Sequence, residues 1–139
     1  MNLINADEIE FLATHRIGHL ATVGKSGKPH VVPAGYHFDA ERGVIKIGAH
    51  VLPERGQERL YVRHLKNNPL VAFVVDDLTT EPAWRPRGVT VKGTVKLHSE
   101  GGEVLGPGFG PNWVEIVPDW LSSWGINADP LHPAVPRRV

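Results

Sequence analysis

The sequence predicts a small, mainly β protein in which antiparallel strands close into a barrel and helices are added to it. Three observations lead to this prediction. Glycine-bearing turns divide Ile17–Ala49 into three apolar runs, each of strand length. Apolar and polar residues alternate strictly over Val89–His98, which is typical of a half-buried antiparallel strand. Another apolar run, Leu70–Val75, is short and rich in β-branched residues.

The composition is that of one globular domain with no excess of either charge. The chain has 139 residues, of which 41% are hydrophobic and 22% are charged, and Lys+Arg and Asp+Glu each number 15. We expect one domain over residues 1–126, followed by a loose tail over 127–139 that contains three prolines and no periodicity. Because the formal net charge is zero, nucleic acid is not an expected partner.

The absence of cysteine excludes disulfides, thiolate metal ligands and a cysteine nucleophile. Redox chemistry would therefore require a bound cofactor. The N-terminus lacks the basic start and the long apolar region of a signal peptide, and no apolar run approaches the roughly 20 residues that cross a bilayer. We therefore expect a cytoplasmic protein that does not bind membranes.

The chain begins with a predicted helix. Asn5 is placed as its N-cap and Glu8 as the acidic partner three residues on, and the apolar spacing ends near His15. His15 and His19 stand four residues apart, but no third ligand follows at a recognisable metal spacing. No metal site is predicted.

The three apolar runs after this helix predict an antiparallel meander of strands Ile17–Val23, His30–Phe38 and Val44–Ala49. The middle run contains Pro33, which cannot donate to a strand ladder, and Gly35, which leaves the backbone uncovered. Such residues inside a strand indicate either a barrel corner or a place where a ligand approaches the backbone closely.

A second helix is predicted over Glu58–Lys66, because the composition is helical and Asn67-Asn68-Pro69 stops it. Arg59 and Arg63 stand four residues apart and share one face of this helix. The pair is either a solvated basic face or an anchor for a phosphate group.

The second half of the chain supplies the remaining strands. The apolar run Leu70–Val75 predicts a strand that is buried on both faces. Because a second subunit could bury one of these faces, we expect a homodimer. Asp76–Pro82 is interpreted as an acidic loop because aspartate forms turns. Gly101–Pro111 lacks the ending of a phosphate-binding loop and is interpreted as a mobile connection or a lid over a pocket.

The last main strand is predicted over Trp113–Val117 and continues beyond Pro118. The segment carries three tryptophans within a dozen residues. They could form a stacking platform for a ring or close a subunit interface.

The order and spacing of five motifs carry a resemblance to a known family. The motifs are Ile17–Gly24, Gly27–Pro33, Leu65–Pro69, Trp84–Val89 and Ser123–Gly125. From about Ile17 to Ile126 the chain resembles the pyridoxamine 5'-phosphate oxidase-like, FMN-binding split β-barrel superfamily. Within it, the chain is similar to the branch whose members use the deazaflavin coenzyme F-420.

The resemblance implies a six-stranded antiparallel Greek-key split barrel that forms a homodimer with a flavin or deazaflavin between the subunits. It implies these cofactor contacts: Pro33, Gly35, Gly48, His50, Arg59, Tyr61 and Arg63. Two features depart from the family pattern. Tyr61 stands where the family commonly has lysine, and the connection His50–Glu58 is several residues longer than in typical members.

The function that this resemblance implies is hydride transfer between reduced F-420 and a small conjugated organic substrate. The cofactor would carry the chemistry, and the residues nominate no catalytic acid. Three alternatives remain open. They are an FMN-dependent oxidase or reductase of the pyridoxamine phosphate oxidase type, a non-catalytic protein that binds a flavin, a deazaflavin or haem, and a dimeric structural protein with a vestigial pocket.

Overall fold

The computed structural model describes residues 3–50, 59–126 and 136–139. The elements in chain order are α1 (Ala6–Thr14), β1 (Ile17–Val23), β2 (Pro29–Gly35), β3 (His37–Asp39), β4 (Val44–His50), α2 (Leu60–Asn67), β5 (Leu70–Thr79), β6 (Arg85–His98), a short 3-10 helix (Gly102–Leu105), β7 (Phe109–Trp124) and β8 (Arg137–Arg138). None of the helices in the described ranges is long and apolar enough to cross a membrane.

The strands form one antiparallel sheet in the order β2-β1-β5-β6-β7-β4-β3, with β8 paired to β7. The mainly β prediction is confirmed, but the predicted number of six strands is wrong, because the described ranges alone form eight. The predicted middle strand of the meander is divided at Tyr36. Its first half, β2, pairs with β1 and its second half, β3, pairs with β4. Since β2 also contacts β4, the sheet curls until its two ends approach each other.

At Tyr36 the chain is held by hydrogen bonds to the end of α1 and to the residue before β1. The Tyr36 backbone N–H donates to the carbonyl of Arg16 at 3.0 Å, one position beyond Ile17↔Gly35, the last pair of the β1–β2 ladder. Its hydroxyl donates to the carbonyl of Leu12 at 2.6 Å, and its side chain is only 9% exposed. Burial raises the pKa of the Tyr36 hydroxyl well above its usual range. Tyr36 therefore joins the end of α1 to the core and turns the chain from one strand into the next.

The predicted acidic loop is wrong over its first four residues, because β5 continues to Thr79. Its ladder with β6 runs through Asp77↔Arg87 to Thr79↔Arg85. The Arg87 guanidinium donates to both oxygens of Asp77, and His15 contacts the same carboxylate at 2.8 Å. These partners hold Asp77 in an extended strand where its own preference is for a turn.

The predicted last strand is confirmed as part of β7, which begins earlier than expected, at Phe109. It continues past Pro118 through a bulge, since Gly93 pairs with Pro118 while Lys92 pairs with Trp120. A side chain at Gly93 would collide with the Val117 carbonyl, so only glycine fits beside the bulge. The glycine-rich connection before β7 contains the 3-10 helix, which contacts β7 and β4.

Both predicted helices are formed, and both contribute to the core enclosed by the sheet. α1 has the predicted capping box between Asn5 and Glu8. The buried hydrophobic residues of the helices are Phe11 and Leu12 in α1 and Tyr61 and Leu65 in α2. From the strands the core receives Leu20, Phe38, Ile45, Ile47, Val71, Phe73, Val75, Val89, Val91, Val114, Ile116 and Leu121.

The end of the chain is attached to the domain. The predicted tail lies outside the described residues over 127–135, but Arg137 pairs with Leu121 in the ladder of β8 with β7. The Arg137 guanidinium also donates to both oxygens of Glu8, whose side chain is 1% exposed. Ser123 donates to the same carboxylate at 2.6 Å. Burial alone would raise the pKa of Glu8, but hydrogen bonds from Arg137, Ser123 and the Asn5 backbone outweigh it and lower that pKa.

We expect Arg137→Ala to destabilise the protein, because it leaves the Glu8 carboxylate buried with its main cation removed. Breaking a buried ion pair from one side reduces the free energy of unfolding by about 3 kcal/mol. Urea denaturation at neutral pH measures the loss. The matched control is Arg138→Ala, since Arg138 is the exposed neighbour in the same strand. Equal midpoints for the two variants would contradict the prediction.

Candidate functional site

The outer face of β2 leaves backbone open to solvent at two of the predicted site residues. Pro33 and Gly35 both lie on its exposed side. In the register with β1, Pro33 faces His19 and Gly35 faces Ile17. A side-chain carbon added at Gly35 would meet only the Arg16 carbonyl oxygen, at 3.7 Å, which is an ordinary contact. This stretch is therefore a shallow floor on which a flat group could lie.

The floor continues into an apolar outer surface across β2, β1 and β5. Val31 is 65% exposed, Ile17 62% and Leu70 60%. The ladders align Val31 with Ala21, and Ala21 with Ala72, on the same side of the sheet. Within one chain, β5 is thus buried on its inner face only, and its outer face is not covered by the described residues.

The N-terminus of α2 provides positive charge. Arg59 occupies the N-cap position, and no described side chain caps the helix there. The first backbone N–H groups of a helix together with its dipole attract anions. Arg63 lies one turn further on and is exposed, and Arg59 is partly exposed. The Arg59 guanidinium lies 5.9 Å from the centroid of the Tyr61 ring. This placement agrees with the prediction that Arg59 and Arg63 share one face of the helix.

Two of the predicted contacts face space that the protein already fills. Tyr61 is 5% exposed and belongs to the core, and burial raises the pKa of its hydroxyl. Gly48 lies beneath the Phe109 ring, which a side-chain carbon at Gly48 would approach to 2.7 Å. His50 is exposed at the end of β4, with its ring centroid 4.5 Å from that of Phe109. The longer connection after His50 lies outside the described residues over 51–58.

One side chain that the sequence did not indicate connects α2 to the strands of the floor. The His64 ring nitrogen Nδ1 lies 3.0 Å from the Thr22 hydroxyl, and the His30 ring meets the His64 ring edge-on at 5.7 Å. Gly24 allows this approach, since a side-chain carbon there would lie 2.7 Å from the His64 ring. His64 and Thr22 are 42 residues apart, and no local pattern relates them. The contact places α2 beside the β1–β2 hairpin.

Other ionisable clusters hold the fold and lie away from the floor. Asp77 is on the inner side of β5, and hydrogen bonding from Arg87 lowers the pKa of its carboxyl. Glu115, 2% exposed, accepts from Arg42 at 3.0 Å and contacts His98 at 2.8 Å. Each carboxylate is occupied by two partners, so neither resembles a free acid or base poised for catalysis.

The three tryptophans of β7 do not form one platform. Trp113 stacks on His98 with ring centroids 4.0 Å apart. The Lys92 amine lies 4.4 Å from the Trp120 ring, and Trp124 packs over Gly88. Each indole is partly exposed and has its own partner on β6.

A cleft of about 260 Å³ lies elsewhere, between Leu3, the turn at Arg42, Pro118 and Val139. None of the predicted cofactor contacts lines it. It therefore does not enlarge the floor on β2.

Comparison with known proteins agrees with this architecture. The family model described as pyridoxamine 5'-phosphate oxidase matches residues 6–110. The chain belongs to the pyridoxamine 5'-phosphate oxidase family. It is 36% identical over 122 residues to a curated protein of Streptomyces rimosus named 5a,11a-dehydrotetracycline/5a,11a-dehydrooxytetracycline reductase, a match that covers 88% of this chain and 83% of the relative.

Solved structures share the fold of this family member. A conserved hypothetical protein from Mycobacterium tuberculosis superposes with a TM-score of 0.67 at 23% identity, covering 91% of this chain and 86% of that one. A FAD-binding protein from Mesorhizobium loti superposes with a TM-score of 0.61 at 19% identity, covering 86% and 93% respectively. At these identities the likeness concerns the fold alone.

The openness of the floor can be tested by adding a methyl group. Gly35→Ala should change the free energy of unfolding by less than about 1 kcal/mol, because the added carbon meets only ordinary contact. Gly18→Ala, one strand away, should lower it by about 2 kcal/mol, because the added carbon collides with the Phe73 ring. Urea denaturation of both variants provides the comparison. A loss in Gly35→Ala as large as in Gly18→Ala would show that the floor is packed.

Proposed function

We propose that this chain is a reductase that binds F-420 and passes a hydride to a small conjugated organic substrate. The observation that carries the proposal is the combination of an open floor at Pro33 and Gly35 with the arginine-bearing N-terminus of α2. Membership of the pyridoxamine 5'-phosphate oxidase family and the reductase named in Streptomyces rimosus support the same class of chemistry.

The residues fit a ring with an anionic arm at two points. A flat conjugated ring needs open backbone and apolar neighbours, which Gly35, Pro33 and Val31 offer on one side of β2. A phosphate needs donors in a forked or fixed arrangement, which the guanidinium groups of Arg59 and Arg63 and the first N–H groups of α2 provide. The contact of His64 with Thr22 and His30 fixes α2 against the inner side of the β1–β2 hairpin, whose outer side carries the floor.

When bound, the cofactor supplies the hydride and the protein supplies its position. Pro33 and Gly35 would support one face of the ring, so that substrate approaches from the other face. The apolar neighbours Val31 and Ile17 would exclude water from the reacting carbon. Arg59 and Arg63 would contribute binding free energy far from the reaction, which holds the ring in place.

The substrate is inferred to be a compound with a carbon–carbon double bond conjugated to a carbonyl group. The relative in Streptomyces rimosus is named for the reduction of a dehydrotetracycline. A hydride adds to such a double bond because the carbonyl accepts the developing charge. We extend only this chemical type of substrate to the present chain.

FMN is the second candidate cofactor. It offers the same flat ring and a phosphate, and the FAD-binding protein from Mesorhizobium loti shares the fold of this chain. The same floor and the same arginines would hold FMN, so titration with each cofactor is needed to tell which of them the protein binds.

Two copies are proposed to meet at the outer face of β2, β1 and β5. Val31, Ile17 and Leu70 are each at least 60% exposed on this face. A contiguous exposed apolar patch on a folded protein usually marks an interaction site. A second copy would cover it and at the same time close the space over the floor, so that the cofactor lies between subunits.

Titration of the purified protein with F-420 and with FMN tests the cofactor proposal. We expect a dissociation constant below about 100 μM for at least one of them. Replacing both Arg59 and Arg63 with alanine should weaken that binding by about ten-fold or more, since charge-assisted hydrogen bonds to phosphate are lost. Arg85→Ala, an exposed arginine at the start of β6, is the matched control. Absence of measurable binding of both cofactors to the wild-type protein would overturn the proposal.

Sedimentation or light scattering tests the assembly. The wild-type protein should have twice the chain mass of 15.3 kDa. Val31→Lys combined with Leu70→Lys should give the single-chain mass, because two charges per copy would be buried at the interface. Val104→Lys is the control, since Val104 is 87% exposed on the 3-10 helix. A wild-type protein that stays monomeric at micromolar concentration would rule out this interface.

A further inference from the structure

His19 lies at the centre of the apolar outer face, next to the floor. In the two ladders of β1 it faces Pro33 on one side and Val74 on the other. Side chains directly opposite each other in an antiparallel pair have their β carbons about 5 Å apart. The imidazole of His19 therefore reaches the space above Pro33 without any change of backbone.

On the outer side of β1 and β2, His19 is the one ionisable residue, and on the outer side of β5 the nearest is Asp76, two residues from Val74. The other residues on the outer side of β1 and β2 are Ile17, Ala21, Val23, Pro29, Val31, Pro33 and Gly35. His19 is exposed, and neither of its ring nitrogens has a hydrogen bond to any described residue. By contrast, the rings of His15, His64 and His98 each form a hydrogen bond with another side chain.

A polar ring alone on an apolar surface is costly once that surface is covered. A buried imidazole without a partner costs free energy, because it loses its hydrogen bonds to water and forms none with the protein. If the outer face is closed by a second copy and a ring, as proposed above, His19 needs a partner inside the closed space. On the β5 side the nearest carboxylate, Asp76, is a diagonal neighbour two residues beyond Val74. On the β2 side, above Pro33, an acceptor on the ligand itself is the partner within reach.

We propose that His19 donates a hydrogen bond to a carbonyl oxygen of the ring that lies on Pro33 and Gly35. This inference rests on the proposed function. The pyrimidinedione carbonyl groups are common to flavins and deazaflavins, so the contact does not depend on which of the two is bound. A donor at this position favours electron density on the carbonyl and fixes the rotation of the ring on the floor.

The test compares variants that keep or remove the donor. FMN and F-420 are titrated separately into the wild-type protein, His19→Gln, which keeps an N–H donor, and His19→Leu, which does not. We expect His19→Leu to weaken binding about ten-fold and His19→Gln to stay within about three-fold of the wild type. The long-wavelength absorption band of the bound cofactor should differ between wild type and His19→Leu, because a hydrogen bond to the ring carbonyl changes that band.

The control is His37→Leu, the same substitution at an exposed histidine on β3, where binding should not change. His19→Ser, polar but too short to reach, replaces the leucine variant if the latter does not fold. Equal binding and equal spectra in wild type and the donor-lacking variant would overturn the role of His19 while the proposed function stands. An equal loss in His19→Gln and His19→Leu, or a loss in His37→Leu, would also overturn it. If the wild-type protein binds neither cofactor, the proposed function fails together with this inference.

Discussion

The hydrogen bonds at Tyr36 determine how this sheet is divided. Its backbone N–H donates to the carbonyl of Arg16, the residue opposite it in the register of β1 with β2, and its hydroxyl donates to the Leu12 carbonyl. These bonds hold Tyr36 at the end of α1, where the pairing of β2 with β1 ends and the chain turns into β3. A continuous strand there would have paired β1 with β4 through one central strand. The division instead places β2 and β3 at the two ends of the sheet path. The open floor exists because β2 becomes an end strand.

The residues of β2 suit this position at the end. Proline is tolerated on edge strands because its missing N–H can face the unpaired side, and glycine leaves backbone accessible. Pro33 and Gly35 would both weaken a central strand. In β2 they leave the floor without large side chains, and Pro33 also disfavours pairing of this edge with a strand from another molecule. The same two residues thus protect the edge and shape the candidate site.

Local patterns in the sequence predicted the elements whose cause is local. The alternation over Val89–His98 gave β6, and the capping box of Asn5 and Glu8 gave the start of α1. The sequence could not predict features that depend on distant partners. The break at Tyr36 needs the end of α1, and the extension of β5 through Asp77 needs Arg87 and His15. In the candidate site, Pro33, Gly35, Arg59 and Arg63 were predicted from residue type and position. The ring of Phe109 over Gly48 was not predicted, because it joins residues too far apart for any local pattern.

The position of Tyr61 changes the meaning of its departure from the family pattern. The helix turns residue 61 inward, onto the same face as Leu65, and leaves Arg63 exposed. A lysine at 61 would have to run its aliphatic part along the core and extend its amine out to water. Tyrosine at this position fills the core instead and lies close to the Arg59 guanidinium, 5.9 Å from its ring centroid. The replacement therefore removes one cation from the end of α2 but leaves Arg59, Arg63 and the first N–H groups of the helix, which no described side chain caps, in place. The proposed phosphate binding at this helix then rests on Arg59 and Arg63, which is why the double substitution is the decisive one.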